Sequence, residues 1–265
     1  MSESQMPPFT KDRLKKVSSI LVSQPRPENN KNPYAELADR YGVKIDFRPF
    51  IQIEPVSIKE FRKQKIDVLD HTAVIFTSRN AVKHFFNTCK ECKVEVPIDM
   101  KYFCISEKTA NFLQKFIVVR KRKIFTGRRT ARDLFEVLKK HKDEKFLFPC
   151  SDIRKDDIPN FLKENKMHFS EMVLYRTVAS DLSDLSDVNY DVIAFYSPSG
   201  ISSLLENFPD FKQNRTRIAA FGPTTAKAVR NAGLILDIEA PMPNAPSMTG
   251  ALKAYIETAN KINKK

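Results

Sequence analysis

FTSRNAV at residues 76–82 and FYSPSGI at residues 195–201 decide the fold of this 265-residue chain. Each joins the end of a short apolar run, AVIFT (73–77) or DVIAFY (191–196), to a serine that opens an amphipathic stretch. An apolar run of strand length, a Ser at its end and a helical period after it read as strand, cap and helix in a parallel sheet. A second pair repeats the arrangement, ISEKTA at 105–110 and FGPTTA at 221–226. Ser78 and Ser197 stand 119 positions apart and Thr109 and Thr225 116 apart, while Val22/Leu147, Leu37/Leu162 and Phe50/Tyr175 are each separated by 125. The chain therefore reads as α/β, with two similar halves that each hold a parallel sheet flanked by helices.

Working outward, strands are expected at 19–23, 43–53, 73–77, 101–105, 146–149, 171–178, 191–196 and 217–221. Helices are expected at about 32–41, stopping at Gly42, from Ser78 to Cys89, from Ser106, from Thr130 to His141, from Ile158 to Asn165, after Ser197, from the GPTTA segment to Gly233, and from about Ser247. Chain order taken alone points to two consecutive domains. Residues 1–16 contain Pro7 and Pro8 without an apolar run, and read as a disordered tail rather than a signal or transit peptide.

Composition removes several classes of function. Hydrophobic residues make up 42% of the chain, enough for a real core. The six glycines form neither a P-loop nor a G-x-G-x-x-G fingerprint. No apolar stretch reaches the roughly 18 residues of a membrane span. Cys89 and Cys92 form a C-x-x-C without a second ligand pair, and the four histidines lie scattered outside any H-E-x-x-H or G-x-S-x-G context, so neither a metal nor a cofactor is expected. Lys and Arg number 45 against 32 Asp and Glu, a balance of +13. Such a charge favours a nucleic acid, an anionic membrane or a small molecule with several carboxylates or phosphates. Residues 115–132 carry eight basic residues and no acidic one. A nucleic-acid reader would interleave them with exposed aromatics, whereas Phe116 and Phe125 sit in apolar runs that read as buried strand. The run reads either as a solvated basic edge or as a device that steers an anionic substrate.

Ser78, Ser106, Ser197 and Thr224/Thr225 all open helices at strand ends. Amide hydrogens and the positive end of a helix dipole attract carboxylate or phosphate there, and the hydroxyls add donors. Pro198 and Pro223 suit first helical positions, where an N–H has no partner to lose. Tyr175, in VLYRT at 173–177, is a neutral proton donor with an ordinary pKa of about 10.

FTSRNAV at 76–82, FPCSDI at 148–153, LYRT at 174–177, YSPSG at 196–200 and FGPTTAKAV at 221–229 together resemble the uroporphyrinogen-III synthase family, over about residues 18–258. The resemblance implies two interleaved α/β domains, residues 17–48 with 179–265 and residues 55–171, joined by a two-stranded antiparallel linker of 49–54 and 172–178. It implies a hydro-lyase that cyclises hydroxymethylbilane, a linear tetrapyrrole with eight carboxylates, with loss of water and inversion of ring D. Tyr175 matches the tyrosine proposed to protonate the leaving hydroxyl. Ser78, Thr109, Ser197, Ser199, Gly200, Thr224 and Thr225 match contacts to the substrate's acid side chains, with Arg79, Arg26 and Arg154 near strand ends as further carboxylate partners. Ser106 stands where many members have glycine, and Ser151 and Asp152 also depart from the family pattern. The expectation is a cytoplasmic monomer in heme biosynthesis that uses no cofactor and engages neither nucleic acid nor membrane. The other reading is a non-catalytic two-domain protein that binds nucleic acid or another anion.

Overall fold

Parallel strands that are covered by helices on both faces must be apolar along their length, and the short runs of this chain meet that requirement. The structure, a computed structural model, describes residues 9–29, 32–118, 121–127, 131–186 and 189–262. Its strands are β1 (Ser19–Val22), β2 (Lys44–Phe47), β3 (Ile51–Pro55), β4 (Ala73–Phe76), β5 (Lys101–Cys104), β6 (Ile124–Thr126), β7 (Phe146–Ser151), β8 (Phe169–Ala179), β9 (Val192–Phe195), β10 (Arg217–Phe221) and β11 (Leu236–Ala240). Its α-helices are α1 (Pro33–Tyr41), α2 (Ile58–Lys63), α3 (Arg79–Glu91), α4 (Glu107–Leu113), α5 (Ala131–Lys139), α6 (Asp157–Glu164), α7 (Pro198–Asn207), α8 (Pro223–Asn231) and α9 (Met248–Ile262).

The chain divides into two units, one made of residues up to Gln52 and from Val178 onward, the other of Ile53–Thr177. The first unit holds a parallel sheet in the order β11-β10-β9-β1-β2, and the second a sheet in the order β3-β8-β7-β4-β5-β6. Consecutive domains are thus not what forms, because β1 pairs with β9, more than 170 positions away, through Ile20–Val192 and Val22–Ala194. Matching β1, β2, β9, β10 and β11 with β7, β8, β4, β5 and β6 gives each unit the strand order 2-1-3-4-5, so the repeat seen as sequence offsets is a repeat of topology.

Alternation along each strand divides the core in two. Ile20 and Val22 face a layer with Leu37 of α1 and Leu252, Tyr255 and Ile256 of α9. Leu21 faces the opposite layer, with Ile201 and Leu204 of α7 and Val229 of α8. In the second unit Val74 and Phe76 pack with Val82 and Phe85 of α3 and Leu113 of α4. Ala73 and Ile75 pack with Leu134 and Leu138 of α5 and Ile158 and Leu162 of α6.

Four differences from the sequence reading have local causes. The single strand expected over 43–53 is two strands in two sheets, interrupted at Arg48–Pro49–Phe50. Pro49 has no amide to extend the ladder, and the wholly buried Phe50 turns into the first unit against Phe195, 5.6 Å between ring centres. Helix α2 went unread although Ser57 and Glu60 form a capping box, with the Ser57 hydroxyl accepting from the Glu60 amide and donating to its carboxylate. Strand β11 also went unread, and Phe116 lies past the end of α4, half-buried and stacked on Phe86 at 5.1 Å, rather than in a strand. Of the basic run 115–132, residues 119, 120 and 128–130 fall outside the described residues.

Residues 1–8 of the expected tail also fall outside the described residues, but residues 9–16 are not a tail. Phe9, Leu14 and Val17 are buried, and the Phe9 ring meets Tyr255 edge-on at 5.1 Å. Their spacing is too wide to read as an apolar run, and only α9 supplies the surface that makes them core. The segment is fixed by charge as well. Arg13 donates to the Asp237 carboxylate from Nε at 2.6 Å and from Nη2 at 3.0 Å, and to the carbonyls of Asn214 and Thr216. Asp237 is 2% exposed and also accepts from the Ile218 amide and from Gln213.

Replacing Asp237 removes the buried carboxylate that a part-buried guanidinium, an amide and a carboxamide share. Asp237→Ala is expected to lower unfolding stability by about 3–5 kcal/mol in urea titration. A change of less than about 1 kcal/mol would show that residues 9–16 are not held by this pair.

Candidate active site

In both units the strands end where helices begin, so helix N-termini collect at the carboxyl edge of each sheet. The first amides of a helix lack partners within it. Ser78 follows β4 in extended conformation (φ −157°, ψ 164°), and its Oγ accepts from the Ala81 amide at 3.0 Å. Ser197 follows β9 in nearly the same conformation, and its Oγ accepts from the Gly200 amide at 3.3 Å, with Pro198 at the first helical position. Ser106 caps α4 through the Thr109 amide at 3.4 Å. The fourth helix differs from expectation. Gly222, not Thr224 or Thr225, occupies the cap of α8, at φ 86° and ψ 154°, and no side chain closes that helix start. That conformation is essentially restricted to glycine.

The second unit brings Tyr175 to this edge. Its hydroxyl lies 3.3 Å from the Ser78 hydroxyl, and its ring stacks on His84 of α3, 5.0 Å between centres and 26° between planes. Because Ser78 Oγ already accepts from Ala81, its hydrogen is free to point at Tyr175, which leaves the phenolic hydrogen for another acceptor. Burial raises the Tyr175 pKa above its ordinary value, against the opposing Ser78 bond, so the phenol stays protonated at neutral pH. Burial, with Lys83 adding to it, lowers that of His84, which keeps the imidazole neutral there. Nothing in the sequence set His84 apart from the other histidines except its place one and a half turns beyond the Ser78 cap.

Thr77, Ser78, Cys150, Ser151, Arg154 and Tyr175 help to line a cavity of about 640 Å³ on this edge. A larger one, about 1020 Å³, lies at the opposite end of the first unit's sheet, beside Asp191 and Thr216 at the amino ends of β9 and β10. Size does not select the site, since strand amino ends face no helix N-terminus. Of the cations that line the smaller cavity, Arg154 is already paired. Arg154 binds Glu171 through Nε at 2.5 Å and Asp156 through Nη1 at 2.5 Å, so its expected place as a carboxylate partner is taken by the protein's own carboxylates. Asp152 accepts from Ser151, Ile153 and Thr177. Burial alone would raise its pKa, but these bonds outweigh it and hold the carboxyl below its ordinary value.

The remaining expected contacts divide by exposure. Arg79 and Thr224 are exposed, and Ser78, Ser197 and Ser199 are half-buried. Thr109 at 4% and Thr225 at 1% are enclosed, as is Gly200, whose amide is taken by Ser197. None of these three is exposed at the edge. The third position of a helix's first turn points back over the sheet, and there a small side chain lets the helix approach. Cys89, Cys104 and Cys150 are buried thiols whose pKa values burial raises, to about 12, about 12 and about 11. Among the described residues no three His, Cys, Asp or Glu side chains are grouped to hold a metal ion, and no helix is long and apolar enough to cross a membrane.

The family described as uroporphyrinogen-III synthase HemD matches residues 32–250. The chain is 24% identical over 252 residues to the uroporphyrinogen-III synthase of Chlorobaculum parvum, covering 89% of this chain and 98% of that protein. It is 26% identical over 137 residues to the enzyme of that name from Saccharomyces cerevisiae, covering 46% of this chain and 50% of the other. Among solved structures, uroporphyrinogen-III synthetase from Helicobacter pylori superposes with a TM-score of 0.60 at 19% identity, covering 91% of this chain and all of that one.

Gly222→Ala tests the open cap of α8. It is expected to lower stability by about 1–3 kcal/mol in chemical denaturation, because any Cβ is strained at this φ and ψ. No space limits that Cβ, as nothing lies within 4 Å of it. Parent-like stability would show that the backbone there relaxes.

Proposed function

The chain belongs to the uroporphyrinogen-III synthase family, hydro-lyases of tetrapyrrole and heme biosynthesis, and from that premise we propose that Tyr175 is its general acid and that the carboxyl edges of the two units take the substrate's acid side chains. The substrate of the family is hydroxymethylbilane. Its terminal hydroxyl must leave as water, ring D must be inverted through a spiro intermediate, and the macrocycle must close. A hydroxide is a poor leaving group, and one proton at the departing oxygen removes most of that difficulty.

The observation that carries this reading is the Tyr175–Ser78 hydroxyl pair, 3.3 Å apart, on the edge of the 640 Å³ cavity. Ser78 donates to Tyr175 Oη, and the phenol gives its own hydrogen to the leaving hydroxyl. When the last carbon–carbon bond closes the ring, the attacking pyrrole carbon loses a proton to regain aromaticity, which restores the phenol. The stacked His84 ring and the Ser78 bond fix the phenol's direction. Everything else the enzyme must do is orientation, since ring D has to attack through the correct carbon. Ser197, Ser199 and Thr224, with the open first-turn amides, bind carboxylates as neutral donors, Ser78 serves the site through its bond to Tyr175, and Arg79 adds a charge at the start of α3. Thr109, Gly200 and Thr225 act from behind, by setting where those helices begin.

Incubated with hydroxymethylbilane, the protein is expected to yield uroporphyrinogen III, resolved from isomer I by chromatography after oxidation. Isomer I alone would overturn the assignment. Tyr175→Phe, which retains the ring and its stack, is expected to reduce kcat by about a hundredfold or more with thermal unfolding unchanged; a parent-like kcat removes Tyr175 from the mechanism. Because burial raises the phenol pKa, kcat should not fall between about pH 7 and about pH 10 through loss of this proton, and should fall only above the ordinary phenol range.

A further inference from the structure

At the carboxyl edge of the first unit's sheet, aromatic side chains stand in a row across four strands. Phe47 is the last residue of β2, Tyr196 follows the last residue of β9, and Phe221 ends β10. Tyr34, the second residue of α1, sets its ring edge-on to Phe47 at 5.3 Å between centres, and its hydroxyl shares a hydrogen bond with that of Tyr196. Tyr196 in turn stacks on Phe221 at 5.7 Å and 30°. Since β1 lies between β2 and β9, Tyr34 bridges the end of β1, where the strand order reverses and open parallel sheets take their ligands. All four rings pack on the core beneath and remain half-exposed.

The hydroxyl pair leaves one hydrogen over. Two phenols carry two hydrogens, their mutual bond uses one, and no other group among the described residues takes the second. Burial raises the pKa of both phenols, with the neighbouring hydroxyl adding to the rise at Tyr34 and opposing it at Tyr196, so the pair is neutral and available as a donor. Arg26, exposed, places its guanidinium 5.6 Å from the centre of the Phe47 ring. The second unit has none of this. By the offsets of 119 and 116 that relate the two halves, Thr77 stands where Tyr196 does and Ile105 where Phe221 does.

A half-exposed aromatic row with the stacked Tyr196–Phe221 pair, one unspent hydroxyl hydrogen and a cation at its rim fits a planar ring that carries an acid side chain. We infer that this row is a subsite for one pyrrole ring of the substrate, with the ring against Tyr196 and Phe221 and its carboxylate between the Tyr34–Tyr196 hydroxyl pair and Arg26. The nature of the ring rests on the function proposed above; the row and its free hydrogen do not.

The test compares steady-state kinetics of the parent, Tyr34→Phe, Tyr196→Phe, the double Phe variant and Arg26→Gln with hydroxymethylbilane. Either hydroxyl alone still has a hydrogen to give, so each single Phe variant is expected to raise KM by no more than about threefold, while the double variant raises it about tenfold because a hydrogen bond to a charged acceptor is lost. The value of kcat stays near that of the parent, and thermal unfolding is little changed because all rings remain. A double variant with KM within about twofold of the parent overturns the subsite. Arg26→Gln, at an exposed position, decides the matter if the double variant does not fold. It is expected to raise KM several-fold at low ionic strength and less at high, and a parent-like KM at low salt overturns the subsite. Isomer I alone from the parent would overturn the proposed function, whereas isomer III from every variant at parent KM would overturn only the subsite.

Discussion

A helix that starts at the end of a parallel strand carries amide hydrogens that nothing within the helix can accept. In this protein the rest of the site depends on how that shortage is met. Ser78 and Ser197 each satisfy one amide of the third helical position through a single hydroxyl, and each retains a hydrogen to donate. At α8 the cap is a glycine and no side chain intervenes at all. The helix starts remain receptive to anions because the protein closes them so sparingly.

Arg154, one of the cations that line the Tyr175 cavity, is bound to Glu171 and Asp156, and Asp152 is fixed by three donors. The binding proposed here meets many carboxylates chiefly with neutral hydroxyls and amides, with Arg79 and Arg26 as its charged partners. A surplus of Lys and Arg favours the approach of a polyanion. The phenols follow the same logic. Burial raises the pKa values of Tyr34, Tyr175 and Tyr196 and keeps each of them a donor.

Much of this was legible in local pattern. Ser78, Ser106 and Ser197 were identifiable as caps because a cap needs only a small oxygen three residues before a waiting amide. The two halves were visible as offsets because equivalent strands carry equivalent apolar runs. What escaped did so for physical reasons. Phe9, Leu14 and Val17 are too widely spaced to look like core until α9 lies under them. The break at Arg48–Pro49, which the family resemblance implied, does not show in the apolar pattern because β2 and β3 are both extended and differ only in the sheet they join. The burial of Thr225 beside the exposed Thr224 was not legible either, since only the packed sheet shows which of two successive helical positions, turned by about 100°, faces inward.

The sequence by itself determined the strand and helix alphabet, the repeat, and the small hydroxyl residues at strand ends, since all of these arise from interactions within a few residues of one another. Only the tertiary structure decided which strand lies beside which, and therefore that His84 stacks on Tyr175, that Tyr34 meets Tyr196 across 162 positions, and that Arg154 is already paired. Such pairings depend on strand order, and strand order is set by how two complete layers of helices bury the sheets between them, which no local stretch of chain encodes.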